Sequence, residues 1–186
     1  MCRTCSFPEQ LKERLISEFS DQDAFELTVL AQNGWTSTDL KSAIEEENLP
    51  NDFDLVTLLI GVNTHIQNRP FSLYETEFVE LVNSAISFGG GSAGNVIVLS
   101  MPDYSYTPFG QNFRTPTIRS EIMAYNEFSQ EYCELNQLSY VYITDITDQG
   151  LDNAFLVAFD GLHPSTLAYS QFVDSLMPLA LTKLDR

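Results

Sequence analysis

Leu11, Leu15 and Phe19 recur at every fourth position behind Ser6 and Pro8, the spacing of one core-facing helical stripe. They predict a helix over 7–19 with Ser6 as its N-cap and Pro8 in its first turn. The next apolar run, Phe25 to Ala31, leads into Asn33-Gly34 and predicts a strand. Ser37 or Thr38 then caps a helix through Glu47 that Pro50 closes. Leu55 to Ile60 is almost continuously apolar, as expected of a central strand buried on both faces, and runs into Gly61-Val62-Asn63. Phe78, Leu81, Val82, Ala85 and Ile86 share one face of a helix over 73–88, which Gly89-Gly90-Gly91 terminates ahead of a strand over 96–100. A helix over 119–136, a strand over 140–143 and a last helix over 165–183, with Pro178 near its end, complete the series.

Helices that alternate with short β-rich runs predict an α/β fold, a parallel sheet with helices on both faces and right-handed crossovers. A length of 186 residues fits a single domain over 1–186. Two irregular stretches are expected, 102–116 and 145–162. The first is rich in Pro, Tyr, Phe and Gly and follows the C-terminal end of a strand, where open α/β sheets build their binding crevices.

Composition narrows the partners. Nine Lys+Arg against 26 Asp+Glu give a net charge of −17, a field that repels phosphate backbones and anionic bilayers, so nucleic acid is not an expected partner. The acids are scattered over helical faces, as at Glu45, Glu46 and Glu47, and read as solubility. No apolar run reaches the roughly 18 residues of a membrane helix, so no span is expected. The start, Met1-Cys2-Arg3-Thr4-Cys5, has no apolar signal region, and three cysteines make an odd number. Both favour a cytoplasmic location without a disulfide framework. Cys2 and Cys5 have CxxC spacing but no second pair, so a frayed terminus is expected and neither metal nor redox use. Gly89 to Gly94 joins a helix to a strand and offers carbonyl ends, the wrong polarity for phosphate, and no GxGxxG or Walker string follows a strand. No cofactor is expected.

Two histidines limit any acid/base chemistry near neutral pH. His163 stands in Asp160-Gly161-Leu162-His163-Pro164, where an Asp three residues earlier can reach Nδ1–H in a tight turn and leave Nε2 free as a base. A polar pre-helix turn is the competing reading of the same segment. His65, in Asn63-Thr64-His65, has no carboxylate near it in sequence and reads as a polar loop or site-lining residue.

These residues resemble the SGNH, or GDSL-type, hydrolases, flavodoxin-like α/β esterases, lipases and carbohydrate deacetylases. Asn33-Gly34-Trp35 looks like the family's second block, whose glycine gives a backbone N–H to an oxyanion hole. Leu58-Leu59-Ile60-Gly61-Val62-Asn63 looks like the third, whose asparagine gives a side-chain N–H, although Thr64 stands where the family often has Asp. Asp160-Gly161-Leu162-His163-Pro164 looks like the fifth, which carries the catalytic Asp and His. The first block, Gly-Asp-Ser, has no counterpart. The resemblance therefore implies a three-layer α/β/α fold whose first strand is missing from the chain as given, and a chain that begins after the catalytic serine. Ser6 reads as a helix cap and not as the nucleophile. In a sheet of order 2-1-3-4-5 the absent strand belongs between the first two visible ones, so the sheet should lose stability or close up.

The function implied is hydrolysis of acyl or O-acetyl esters of small molecules or carbohydrates by a Ser-His-Asp mechanism. His163 and Asp160 would be catalytic and Gly34 and Asn63 would form the oxyanion hole, with no metal. Trp35, His65, Tyr104, Tyr106 and Phe109 are candidates to line the substrate site. The alternative is an inactive module that binds glycan or acyl ligands on the same scaffold through Tyr104, Tyr106, Phe109 and Phe113. An unrelated flavodoxin-like signalling or cofactor domain is a third class, for which no motif is present.

Overall fold

The computed structural model describes residues 5–19 and 24–184. Its packing falls into two compact units. One comprises the chain up to Val29, then Pro102–Arg119 and Ile143–Thr182; the other comprises Leu30–Met101, Ser120–Tyr142 and the chain from Lys183.

The second unit holds the sheet. Three strands, β1 (Val56–Leu58), β2 (Val96–Leu99) and β3 (Ser139–Val141), run parallel in the order β1-β2-β3, with Val56 opposite Val96 and Ile97 opposite Ser139. All four residues of β2 are buried, as a strand covered on both faces requires. The central position expected for 55–60 therefore goes to β2, and β1 lies at the edge. The strand expected over 25–31 is the reason. Residues 24–32 form no strand, and Glu26, Thr28 and Val29 are exposed. An extended segment gains nothing from its backbone N–H and C=O groups without a neighbouring ladder, and β1 has β2 as its one partner among the described residues.

Helix α1 (Phe7–Glu18) belongs to the first unit; α2 (Ser37–Glu46), the one-turn α3 (Val62–Ile66) and α4 (Phe71–Phe88) belong to the second. In α2 the cap is Thr36 and not Ser37 or Thr38: Thr36 Oγ1 accepts the Asp39 N–H at 3.3 Å while the Asp39 carboxylate accepts the Thr36 N–H at 2.8 Å, a reciprocal capping box. The expected stripe of α4 is buried at Phe78, Leu81, Val82 and Ala85. Together with Tyr74 it packs on α5 (Thr115–Leu135), with ring centroids 4.5 Å apart for Tyr74 and Tyr125 and 5.8 Å for Phe78 and Phe128. Each such fully buried side chain contributes about 1.5–3 kcal/mol.

In the first unit, α1 begins directly after Ser6 with Pro8 in its first turn, as expected, although the Ser6 hydroxyl makes no capping bond. Leu11 and Leu15 are buried, and α1 lies against the last helix. The irregular stretch expected over 145–162 holds the one-turn α6 (Thr144–Thr147) and a 3₁₀ turn over Ala154–Leu156, and the last helix is α7 (Thr166–Leu184), which runs through Pro178. Arg14 pairs with Asp174 and donates to the Ser170 hydroxyl at 2.7 Å, and Phe7 packs on Tyr169 at 6.4 Å. Cys133 is a buried free thiol pushed up to about 12 by its surroundings, so it stays protonated. Cys5 is disulfide-bonded, against the expectation of a frayed terminus; Cys2 lies outside the described residues.

One backbone position sets where β1 hands over to α3. Gly61 has φ +123°, and a Cβ placed there would lie 2.3 Å from Met101 Sδ and 2.7 Å from the ring of Tyr74. Met101 can bend away, but Tyr74 is 1% exposed and its hydroxyl is held by Ser129 at 2.8 Å. Gly61→Ala should therefore cost about 2–4 kcal/mol, overpacking added to a strained φ. Urea denaturation followed by circular dichroism measures it; a cost under about 1 kcal/mol would contradict the packing described.

Candidate active site

Asp160 and His163 sit on a tight loop between a 3₁₀ turn, Ala154–Leu156, and α7. The loop closes on itself: Ala158 N–H donates to the His163 carbonyl at 2.8 Å, Ser165 N–H to Leu156 at 2.9 Å, and Gly161 turns with φ +73°. At its tip Asp160 Oδ1 accepts the N–H groups of Leu162 and His163 at 2.9 and 3.0 Å, while Oδ2 lies 2.7 Å from His163 Nδ1. A carboxylate can only accept, so the neutral imidazole carries its proton on Nδ1 and keeps Nε2 as a base. Desolvation works to raise the Asp160 pKa, but the His163 and Leu162 N–H groups and the His163 ring outweigh it and hold the carboxyl below its ordinary value. The pair is half exposed, at 47% for the His163 side chain and 52% for Asp160. A cavity of about 460 Å³ opens beside it, lined by Pro108, Ala154, Val157, Ala158 and Phe159 with Asp160 at its wall.

In the other unit, Gly34 lies in the turn ahead of α2 with φ +87°, and Asn63 is the second residue of α3. The Asn63 side-chain amide makes no hydrogen bond among the described residues. Gln67 joins the two segments: its side-chain N–H donates to the Gly34 carbonyl at 2.8 Å, and its backbone N–H to the Asn63 carbonyl at 3.0 Å. The proposed site residues thus fall into two local groups, Asp160 with His163 and Gly34 with Asn63.

The lining candidates differ in setting. Trp35 is half-buried directly after Gly34. His65 Nε2 lies 2.9 Å from Glu121 Oε2, and its ring meets Tyr125 edge-on at 5.7 Å. That carboxylate comes from α5, more than fifty residues away, so no local pattern could announce it. Tyr104 is 7% exposed and enclosed, Phe109 bridges Tyr104 and Phe113 at 6.4 and 5.2 Å, and Phe113 is 55% exposed. Tyr106 lies under the Arg119 guanidinium at 5.3 Å, and desolvation pushes its hydroxyl pKa up.

Sequence reading missed Gln67, an ordinary polar residue in its local context, and Glu77. Glu77 carried a signal: it stands three residues after Tyr74 and four before Leu81, on the buried face of α4, where a carboxylate needs donors.

This parallel sheet with flanking helices has counterparts among solved structures. The chain is similar to LAE5, an alpha/beta hydrolase enzyme from the metagenome of Lake Arreo, Spain, with TM-score 0.65 and 16% identity over 95% of this chain and 81% of that one. It is similar to Axe2, an acetyl xylan esterase from Geobacillus stearothermophilus, in a variant form, with TM-score 0.53 and 19% identity over 79% and 68%. The OSK domain of Drosophila Oskar aligns with TM-score 0.54 and 13% identity over 97% and 86%. At such identities the likeness defines the fold, that of three-layer α/β/α hydrolases. No protein of curated function matches the chain. A model of the GDSL-like lipase/acylhydrolase family matches residues 3–171, and the chain belongs to that family.

The carboxylate with its pKa pushed highest lies outside the dyad. Burial, with Asp103 and Asp145 nearby and against the pull of Arg119, pushes Asp148 up to about 6, and its Oδ1 is buried without a hydrogen-bond partner among the described residues. A carboxyl raised in the folded state stabilises below its ordinary value of 3.8, and the benefit is lost as pH rises through about 6. Asp148→Asn should therefore stabilise the protein at pH 8 by on the order of 1 kcal/mol, since partial exposure screens the larger linkage value. The gain should vanish below pH 4. Thermal melts across this range test it; equal effects at pH 4 and pH 8 would contradict it.

Proposed function

We propose that this chain carries the base, its orienting carboxylate and the oxyanion donors of a serine ester hydrolase. The observation that carries the reading is the 2.7 Å contact of Asp160 Oδ2 with His163 Nδ1, inside the family match. His163 Nε2 accepts the proton of a serine hydroxyl as that oxygen bonds to the acyl carbon. Asp160 orients the imidazole and stabilises the imidazolium. Gly34 N–H and Asn63 Nδ2–H hold the oxyanion of the tetrahedral intermediate. As the ester C–O bond breaks, His163 returns the proton to the leaving alcohol, and a water molecule then repeats the cycle and releases the acid. The 186 residues contain no Gly-Asp-Ser string, and the serine is proposed to lie in a segment ahead of Met1. The substrates are small acyl or O-acetyl esters, carbohydrate esters among them; acetyl xylan, on which one structural neighbour acts, is a reasonable first trial.

That absence also favours a second reading, a non-catalytic module that binds glycan or acyl ligands on the aromatic loop.

Turnover of p-nitrophenyl acetate by the chain extended by the proposed serine segment separates the two. His163→Ala should lower kcat by at least about 10³-fold, and Asn63→Ala by on the order of 10²–10³-fold with the fold intact. The chain of 186 residues by itself should show only weak residual acceleration. Wild-type turnover in His163→Ala, or a reading frame ahead of Met1 without an apolar strand ending in Gly-Asp-Ser, would sink the hydrolase reading.

A further inference from the structure

The loop that carries Gly34 is tied to its neighbours at two levels. At the surface, Gln67 donates its side-chain amide to the Gly34 carbonyl at 2.8 Å. Its backbone N–H bonds the Asn63 carbonyl at 3.0 Å, so one residue bonds the carbonyls of both residues proposed to supply the oxyanion donors. Below, Thr64 Oγ1 accepts the Ser37 N–H at 2.9 Å, and Glu77 accepts the Ser37 and Thr38 hydroxyls at 2.5 and 2.8 Å. Ser37 and Thr64 are fully buried and Glu77 is 4% exposed.

A carboxylate taken out of water to meet two hydroxyls is a costly way to join helices; apolar packing would hold them at least as well. What hydroxyl–carboxylate bonds add is direction, since they tolerate one register of the 36–38 turn on α4. Gly34 needs such help. No heavy atom lies within 4 Å of the place its Cβ would take, so no side-chain packing holds its backbone at φ +87°, and within the turn the Trp35 N–H bonds the Gln32 carbonyl at 3.2 Å. The bond from Gln67 holds the Gly34 carbonyl, and so the peptide plane that follows Gly34, against the helix that bears Asn63; the Gly34 N–H lies in the neighbouring peptide plane of the same turn, so the bond restrains it through that turn. Misplacement of a catalytic group by about 1 Å costs on the order of 10²-fold.

We propose that Gln67 is a positioning residue of the oxyanion hole, with the Ser37–Thr64–Glu77 network as the buried anchor of the same clamp. The proposal rests on Gly34 and Asn63 being the oxyanion donors. Gln67 is exposed, so its variants should fold. Gln67→Glu keeps the shape and removes the donor; Gln67→Lys restores a donor of similar reach.

In the chain extended by the proposed serine segment, with p-nitrophenyl acetate, Gln67→Glu and Gln67→Ala should lower kcat about ten- to hundredfold with KM within about twofold, and Gln67→Lys should recover most of the loss. Deuterium uptake over residues 32–38 in the 186-residue chain should rise in Gln67→Glu and Gln67→Ala and fall back in Gln67→Lys. Wild-type kcat and uptake in Gln67→Glu and Gln67→Ala, while Asn63→Ala loses turnover, overturns the clamp alone. If Asn63→Ala also keeps its turnover, the oxyanion assignment falls and the clamp with it. A melting temperature that drops in step with kcat in all three Gln67 variants makes the residue structural and overturns the proposal.

Discussion

The Tyr74 ring, pinned by the Ser129 hydroxyl and tilted against Tyr125, leaves no room for a side chain at residue 61. The chain can therefore leave β1 only through a glycine at positive φ, and this turn starts α3 two residues before Asn63. From it follow the short helix, the placement of Thr64 against Ser37 and of Gln67 against Gly34, and the contact of His65 with Glu121. The aromatic packing of α4 on α5 is thus more than a source of stability. It is the surface against which the Asn63 segment is shaped.

The Asp160–His163 pair follows a different logic. Its geometry is complete within four residues: one carboxylate oxygen caps the turn through two backbone N–H groups, and the other is left to meet the ring. Such a unit does not need a deep core to hold it, which is why it can be half exposed and still well oriented. The antiparallel bridge of Val157 with Pro164 closes the loop beneath it, and the cavity beside it is bounded by the same stretch of chain together with Pro108 and Gly150.

A three-stranded sheet with β2 at its centre is short for a parallel α/β protein. The segment over 24–32 has the composition of a strand and yet forms none. Composition expresses how well side chains fit a pleated surface; the ladder itself has to come from a partner strand.

What could be read from the sequence was local or periodic. The stripe of α4, the start of α1, the parallel order of Leu55–Ile60, Val96–Ser100 and Tyr140–Ile143, and the turn that brings Asp160 to His163 all depend on spacings of two to four residues, over which backbone geometry alone decides what meets. The strings around Gly34, Asn63 and His163 were read through their resemblance to a family, not through spacing. The pairing of His65 with Glu121, the clamp of Gln67 on Gly34, the burial of Glu77 and the edge position of β1 were decided by the tertiary structure. Each joins residues brought together by packing across dozens of positions, and a hydrogen bond between distant side chains leaves no periodic trace in the chain that makes it.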